Sequence, residues 1–337
     1  MFPLAVFKNK KDERIPLAMV ALSDAPSAQI ACEAGLDAIL VGDSLGNTAL
    51  GFDSTLPVTM DMMAHHVGAV VRGVKSSLRP DVPIIADLPF GSYATVENGA
   101  ANAARLMQLG ASAIKVEGLG PSGEHSLFAT LRSMGIPVMG HIGFTPQSQM
   151  AFGSVVQGRT SEAAQNLIKE AQTLALQGCF AIVLEAVPDE VARQITSGIG
   201  ISTVGIGAGV GCDGQVLVWH DLVGISAKTF KLAKAYAQTR QIWTQALQEY
   251  KREVEERAFP ADANSWHMAP EELLKLKGNT PRPSLGAPVG VPLGDEPEIV
   301  IEDRNGLWNR AKRPAAKSDN DLKSNFEDFD PFRDIDS

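Results

Sequence analysis

Short runs of four to six apolar residues recur along the first two thirds of the chain, and between them the apolar positions open out to the spacing of an amphipathic helix. Eight runs read as strands: Leu17–Leu22, Ala38–Val41, Ile84–Asp87, Ala113–Glu117, Pro137–His141, Phe180–Glu185, Thr203–Gly207 and Gln215–Trp219. The intervening segments read as helices. Ser27–Ala34 and Asn98–Leu109 each stop before a glycine, Gly35 and Gly110, Met60–Ser76 follows a capping Thr59, and Ser161–Gln177 ends at Gly178. Alternation of this length predicts a parallel sheet, and eight units predict closure into an α/β (β/α)8 TIM barrel. A doubly wound open sheet competes, but it carries a glycine-rich turn after its first strand, which Leu22-Ser23-Asp24-Ala25-Pro26 lacks.

Beyond the eighth strand, Ala227–Glu256 reads as one long charged helix with Phe230, Tyr236, Ile242, Leu247 and Tyr250 as apolar members, either the last barrel helix or an arm onto a neighbouring subunit. Thr280–Pro297 is dense in Pro and Gly, and Lys312–Ser337 is almost wholly polar, too poor in apolar surface to offset its ordering entropy. The predicted organisation is an N-terminal extension (1–14), a barrel with its C-terminal helix (15–260), and a largely disordered tail (261–337) with a docking spot at Ile299–Ile301 and Trp308.

The 337 residues accommodate one barrel of roughly 250 residues plus that tail. A net charge of −9 argues against a nucleic-acid partner, which needs clustered Lys and Arg. No apolar stretch reaches the length of about 20 residues that spans a membrane. The basic cluster Lys8–Arg14 follows its apolar run, the reverse of a secretory signal, and Cys32, Cys179 and Cys212 read as reduced thiols; a cytoplasmic location is expected.

Candidate chemistry lies where the apolar runs end: Asp43 and Ser44, Asp87, Lys115 with Glu117, His141, and Glu185. In a (β/α)8 barrel these C-terminal strand ends converge. Asp43, Asp87 and Glu117 would repel one another there unless a cation neutralises them, and an all-oxygen set favours Mg²⁺ over Zn²⁺. Lys115, two residues before Glu117, points to the same side and suits a substrate carboxylate. Glu185 ends a strongly apolar strand, where a glutamate is costly unless paired or used as a general base. Each residue also has a plainer reading: a lone Asp as a helix cap, Lys115 as a solvated or paired charge, His141 as a satisfied core histidine, and Gly205–Gly209 as a tight turn.

The motifs Asp24 with Pro26-Ser27-Ala28, Val41-Gly42-Asp43-Ser44-Leu45-Gly46, Gly51–Thr59, Ala86-Asp87-Leu88-Pro89-Phe90-Gly91-Ser92-Tyr93, Lys115-Val116-Glu117-Gly118, Pro137–Gly143, Gln157–Thr160, Ile182-Val183-Leu184-Glu185, Gly205–Gly209 and Cys212–Val218 follow one another in an order that resembles the ketopantoate (3-methyl-2-oxobutanoate) hydroxymethyltransferase family from about Ile15 to Pro260. The resemblance implies a Mg²⁺-dependent barrel of the phosphoenolpyruvate/pyruvate type, assembled as a homodecamer, that uses 5,10-methylenetetrahydrofolate and a 2-oxo acid. It implies Asp43, Asp87 and Glu117 as metal ligands, Asp43, Ser44, Asp87 and Lys115 as substrate contacts, Glu185 as the base, and His141 in the same cavity as a catalytic hydrogen-bonding or proton-transfer partner. The chain departs from the pattern at Ser23 and Ala25, where aromatics are usual, at His65-His66-Val67-Gly68, where an Arg is missing, and at Gly153–Val156. These departures leave two alternatives: a Mg²⁺-dependent 2-oxo acid lyase or carboligase using the same enolate chemistry without folate, and a catalytically weak paralogue acting as a scaffold.

Overall fold

Eight parallel strands close into a barrel in sequence order: β1 (Leu17–Ala21), β2 (Ala38–Val41), β3 (Ile84–Asp87), β4 (Ala113–Glu117), β5 (Val138–Gly143), β6 (Ala181–Glu185), β7 (Ser202–Ile206) and β8 (Gly214–Val218), which pairs back onto β1 with Leu17 opposite Gly214. This computed structural model describes residues 3–119, 126–151, 156–227, 230–279, 300–302 and 308–310. The Pro- and Gly-dense 280–297, the polar 312–337, Ile299 and Gly153–Val155 lie outside the described residues.

Helices α1 (Ala5–Glu13), α2 (Ala25–Glu33), α3 (Leu45–Thr48), α4 (Met60–Lys75), α5 (Val96–Gln108), α6 (Ser126–Ser133), α7 (Ser161–Leu176), α8 (Asp189–Gly198), α9 (Trp219–Leu222), α10 (Thr239–Glu255) and α11 (Pro270–Asn279) follow in chain order. Side-chain oxygens of Asp24, Thr59, Thr95 and Thr160 each accept an N–H of the first turn of α2, α4, α5 and α7, a contact worth about 1 kcal/mol apiece. Gly35 and Gly110 close α2 and α5 with φ of +80° and +109°, a conformation that costs a side chain energy and glycine nothing.

Both faces of the sheet are covered, so the strands show no polar alternation until their C-terminal ends. Outward residues such as Ile39, Val41, Ile182 and Leu184 pack under the helices, while Ala38, Leu40, Ile85, Ala113, Met139, Ala181 and Val183 fill the barrel interior. The two-residue period of a strand then fixes the site. Continuing the inward series places Asp87 after Ile85, Lys115 and Glu117 after Ala113, His141 after Met139, and Glu185 after Val183, all at one end of the interior.

The residues before Ile15, set apart in sequence as an extension, form α1 across the opposite, N-terminal end of the barrel. Phe7 joins the interior cluster and meets Phe180 edge-on at 5.1 Å, Ser202 Oγ donates to Phe7 O at 2.8 Å, and Lys10 and Lys11 pair with Asp37 and Asp213 at 2.8 and 2.7 Å.

Several boundaries shift by a residue or two from the expected ones, and two differences have a clear cause. β5 runs on to Gly143, because Ile142 and Gly143 find partners in Leu184 and Glu185. The long helix expected from Ala227 begins only at Thr239. The N–H groups of Tyr236, Thr239 and Arg240 are given to the carbonyls of Leu222, Val223 and Gly224, so the segment 236–240 is tied to the end of α9 and the turn after it. The apolar members of α10, among them Ile242, Leu247 and Tyr250, are exposed.

Met1–Asn264 form one compact unit and Ser265–Ser337 a second, in which the described elements are α11 and an antiparallel pair, β9 (Val300–Glu302) with β10 (Trp308–Arg310). Among the described residues no helix is long and apolar enough to cross a membrane, and Cys32, Cys179 and Cys212 are buried and unpaired.

Candidate active site

Asp43, Ser44, Asp87, Lys115, Glu117, His141 and Glu185 line one cavity of about 100 Å³ at the C-terminal end of the barrel, floored by Leu40, Val183 and Val216. Register explains the closest contacts. Asp87 is the strand partner of Lys115, and Asp87 Oδ1 lies 2.9 Å from Lys115 Nζ; Glu117 is the partner of His141, and Glu117 Oε1 lies 3.3 Å from His141 Nδ1. Lys115 Nζ is also 3.8 Å from Glu117 Oε1, so one ammonium stands between two carboxylates. His141 Nε2 lies 3.3 Å from Glu185 Oε2, in ion-pair contact but out of line for a hydrogen bond.

Asp43 reaches the cavity from the loop after β2. Its N–H donates to Asp87 Oδ2 at 3.0 Å, and its Oδ2 accepts from Gln147 Nε2 at 2.8 Å. A Cβ at Gly42 would sit 3.0 Å from Ser44 Oγ and 3.4 Å from Asp87 Oδ2, so the glycine leaves room for both. Ser44 begins α3 without a side-chain capping bond. The capping explanation of a strand-end Asp therefore holds for Asp24, which caps α2, and not for Asp43, whose side chain accepts from Gln147, or Asp87, whose side chain meets Lys115 and the N–H of Asp43.

The carboxylates are buried in an unbalanced field. Burial, then the charges of Asp87 and Glu117, push the Asp43 carboxyl well above its ordinary range, and burial also raises Asp87 against the pull of Lys115. Burial acts upward on Glu117 as well, but contact with His141, the charge of Lys115 and the N–H of Gln147 together hold it below the ordinary value. Burial and Lys115 work against protonated His141; Glu117 and Glu185 outweigh them and raise it to about 9. Lys115, disfavoured by burial, is raised by the three carboxylates around it. Glu185 differs from the rest: its side chain is 18% exposed where that of Glu117 is 3%, so it faces the cavity rather than the packed strand ends.

Among the described residues no three His, Cys, Asp or Glu side chains are already closed around a metal position. The donor chemistry nevertheless fits a hard divalent cation at Asp43 and Asp87. Asp87 Oδ1 accepts no aligned hydrogen bond, and the two carboxyls share more negative charge than Lys115 offsets. Both oxygens of Glu117 are engaged, by His141 and by the N–H of Gln147 at 3.0 Å, which suits it to contact through water.

Two residues of the site escape strand-end reasoning. Gln147, in the short 3-10 turn Pro146–Ala151 after β5, is buried and also donates to Leu88 O at 2.9 Å; Tyr93 donates its hydroxyl to Gln147 Oε1 at 2.6 Å. Ser23 O accepts from His66 Nδ1 at 2.7 Å, which ties the segment after β1 to α4.

Comparison with known proteins places this geometry. A profile described as ketopantoate hydroxymethyltransferase matches residues 2–262. The 3-methyl-2-oxobutanoate hydroxymethyltransferase of Thermotoga maritima is 49% identical over 262 residues, 77% of this chain and 94% of that enzyme. Its counterpart in Carboxydothermus hydrogenoformans is 48% identical over 273 residues, 80% of this chain and 96% of that enzyme. Among solved structures, phosphonopyruvate hydrolase superposes with a TM-score of 0.51 at 14% identity over 82% of this chain and 95% of its own. The phosphoenolpyruvate phosphomutase of Streptomyces platensis subsp. rosaceus does so with 0.50 at 14% identity over 82% and 95%; at this identity the likeness concerns the barrel alone. The resemblance drawn from the colinear motifs is thereby borne out, and this chain belongs to the ketopantoate hydroxymethyltransferase family.

Proposed function

We propose that this protein transfers a hydroxymethyl group from 5,10-methylenetetrahydrofolate to 3-methyl-2-oxobutanoate, giving 2-dehydropantoate (ketopantoate) for pantothenate and coenzyme A synthesis. The observation that carries the reading is the partly exposed Glu185 facing the same cavity as the buried Asp43, Asp87 and Lys115, within a chain of this family. Lys115 Nζ supplies the positive charge that receives the substrate carboxylate, and the Ser44 hydroxyl a further polar contact. Glu185 takes the proton from C3 of the oxo acid, with His141 Nε2, 3.3 Å away, holding its carboxylate in place. Water takes the methylene from the folate at the aldehyde level, releasing tetrahydrofolate; C3 adds to that carbon, and its oxygen gains a proton to become the hydroxyl. A Mg²⁺ ion held by Asp43 and Asp87, with Glu117 behind them, would supply the charge that stabilises the enolate oxygen.

The assembly is a homodecamer in the cytoplasm on this reading, and the exposed apolar residues of α10 support burial against further copies. The test is direct. Purified protein given Mg²⁺, 3-methyl-2-oxobutanoate and methylenetetrahydrofolate forms ketopantoate, and EDTA stops it. Turnover of the oxo acid that ignores folate would instead favour a lyase.

A further inference from the structure

One residue ties together the segments after β2, β3 and β5 and the end of β4, and it is none of the residues that carry the reaction. Gln147 is buried, and its side-chain amide and backbone N–H are spent at the site: Nε2 donates to Asp43 Oδ2 (2.8 Å) after β2 and to Leu88 O (2.9 Å) after β3, and the backbone N–H donates to Glu117 Oε2 (3.0 Å) at the end of β4. The remaining acceptor, Oε1, takes the hydroxyl of Tyr93 at 2.6 Å. The carbonyl of Leu88 fixes which way the amide faces. Leu88 O can only accept, so the nitrogen must point toward it and toward Asp43, and the Tyr93 hydroxyl then donates to the oxygen on the other side.

The consequence falls on Asp43. One of its carboxylate oxygens is occupied by the Gln147 amide, and the backbone N–H of Asp43 is held by Asp87, so the carboxylate has a single orientation and turns its other oxygen to the cavity. Resting on the reading of Asp43 as the cation- and substrate-facing carboxylate, we infer that Gln147 is a positioning residue, its amide oriented by Leu88 O and anchored by the Tyr93 hydroxyl, that makes Asp43 present one oxygen only. Without it Asp43 is free to rotate between Oδ1 and Oδ2, and the pair formed with Asp87 loses its fixed spacing. A misplaced group of this kind reduces kcat more than it reduces binding of the oxo acid, since the reacting geometry is more demanding than the ground state.

The experiment measures Mn²⁺ affinity by electron paramagnetic resonance, KM for the oxo acid and kcat in wild type, Gln147→Ala, Tyr93→Phe and the double variant. Gln147→Ala is expected to weaken Mn²⁺ binding and to lower kcat by about 10- to 100-fold, the weight of one hydrogen bond to a charged group, with a smaller change in KM. Tyr93→Phe, which keeps the ring and its packing, lowers both by a few fold. In the Gln147→Ala background Tyr93→Phe does nothing further, because the hydroxyl acts only through the amide. A wild type without Mn²⁺ binding or turnover overturns the functional reading itself. A competent wild type whose Gln147→Ala variant matches it in Mn²⁺ affinity and kcat, or in which the two substitutions are additive, overturns the role of Gln147. Should Gln147→Ala fail to fold, Tyr93→Phe alone decides, with unchanged Mn²⁺ affinity and kcat counting against the inference.

Discussion

The two ends of this barrel hold the same kinds of residue and use them in opposite ways. At the N-terminal end, Lys10 and Lys11 each meet one aspartate at the rim; Lys11 and Asp213 keep 17% of their side-chain surface in water, and the interior is sealed by an aromatic, Phe7. At the C-terminal end, Asp43, Asp87, Glu117 and Glu185 face one lysine and one histidine, and all but Glu185 are withdrawn from solvent. Balanced, wetted pairs are how a fold keeps charge without penalty; unbalanced, dry ones destabilise it and persist where they do chemistry. The barrel thus separates a stabilising end from a reactive one.

Substitutions at the two ends should therefore pull stability apart. Phe7→Ala opens a void under α1 and is expected to lower stability by about 3–5 kcal/mol in denaturant melts while leaving kcat of the folded fraction near wild type. A comparable loss of kcat would erase the distinction. Asp43→Asn has the reverse signature. It removes a carboxylate repelled by Asp87 and Glu117, so the EDTA-treated protein at neutral pH should melt higher, by about 1 kcal/mol, while activity collapses. A variant that melts lower would mean the field around Asp43 is already neutralised.

The reactive end also has a pH dependence. His141 is raised from 6.5 to about 9 in the folded protein, so its contribution to stability is full below 6.5 and is lost as pH rises through about 9. Metal-free protein should lose stability across that interval, and His141→Gln should flatten the slope. A slope unchanged by the substitution would assign the titration to another group.

Much of this was legible in the sequence, for a physical reason. Strand ends are marked locally, by apolar runs that stop at Asp87, Glu117, His141 or Glu185, and the two-residue period turns those stops into inward-facing positions once the barrel closes. What escaped lies where contact is long-range and unpatterned. Gln147 meets Asp43 across 104 positions and Tyr93 across 54, from a turn with no period to betray it. Phe7 ends a short apolar run before Lys8 that carries no helical or strand period, and its place shows only in distant contacts such as Phe180. α10 starts later than its pattern suggests because the N–H of Tyr236 goes to Leu222 O at the end of α9, and those of Thr239 and Arg240 to the turn after it.

The central claim, that the charge-crowded end of the barrel makes an enolate with Glu185 as its base, is tested most directly by proton exchange. In D₂O with Mg²⁺ and no folate, 3-methyl-2-oxobutanoate followed by proton NMR should lose its C3 hydrogen at a rate that EDTA abolishes and Glu185→Gln lowers by about 10²- to 10⁴-fold. Exchange that proceeds unchanged in Glu185→Gln, or no exchange in a wild type that forms ketopantoate when folate is added, would contradict the account.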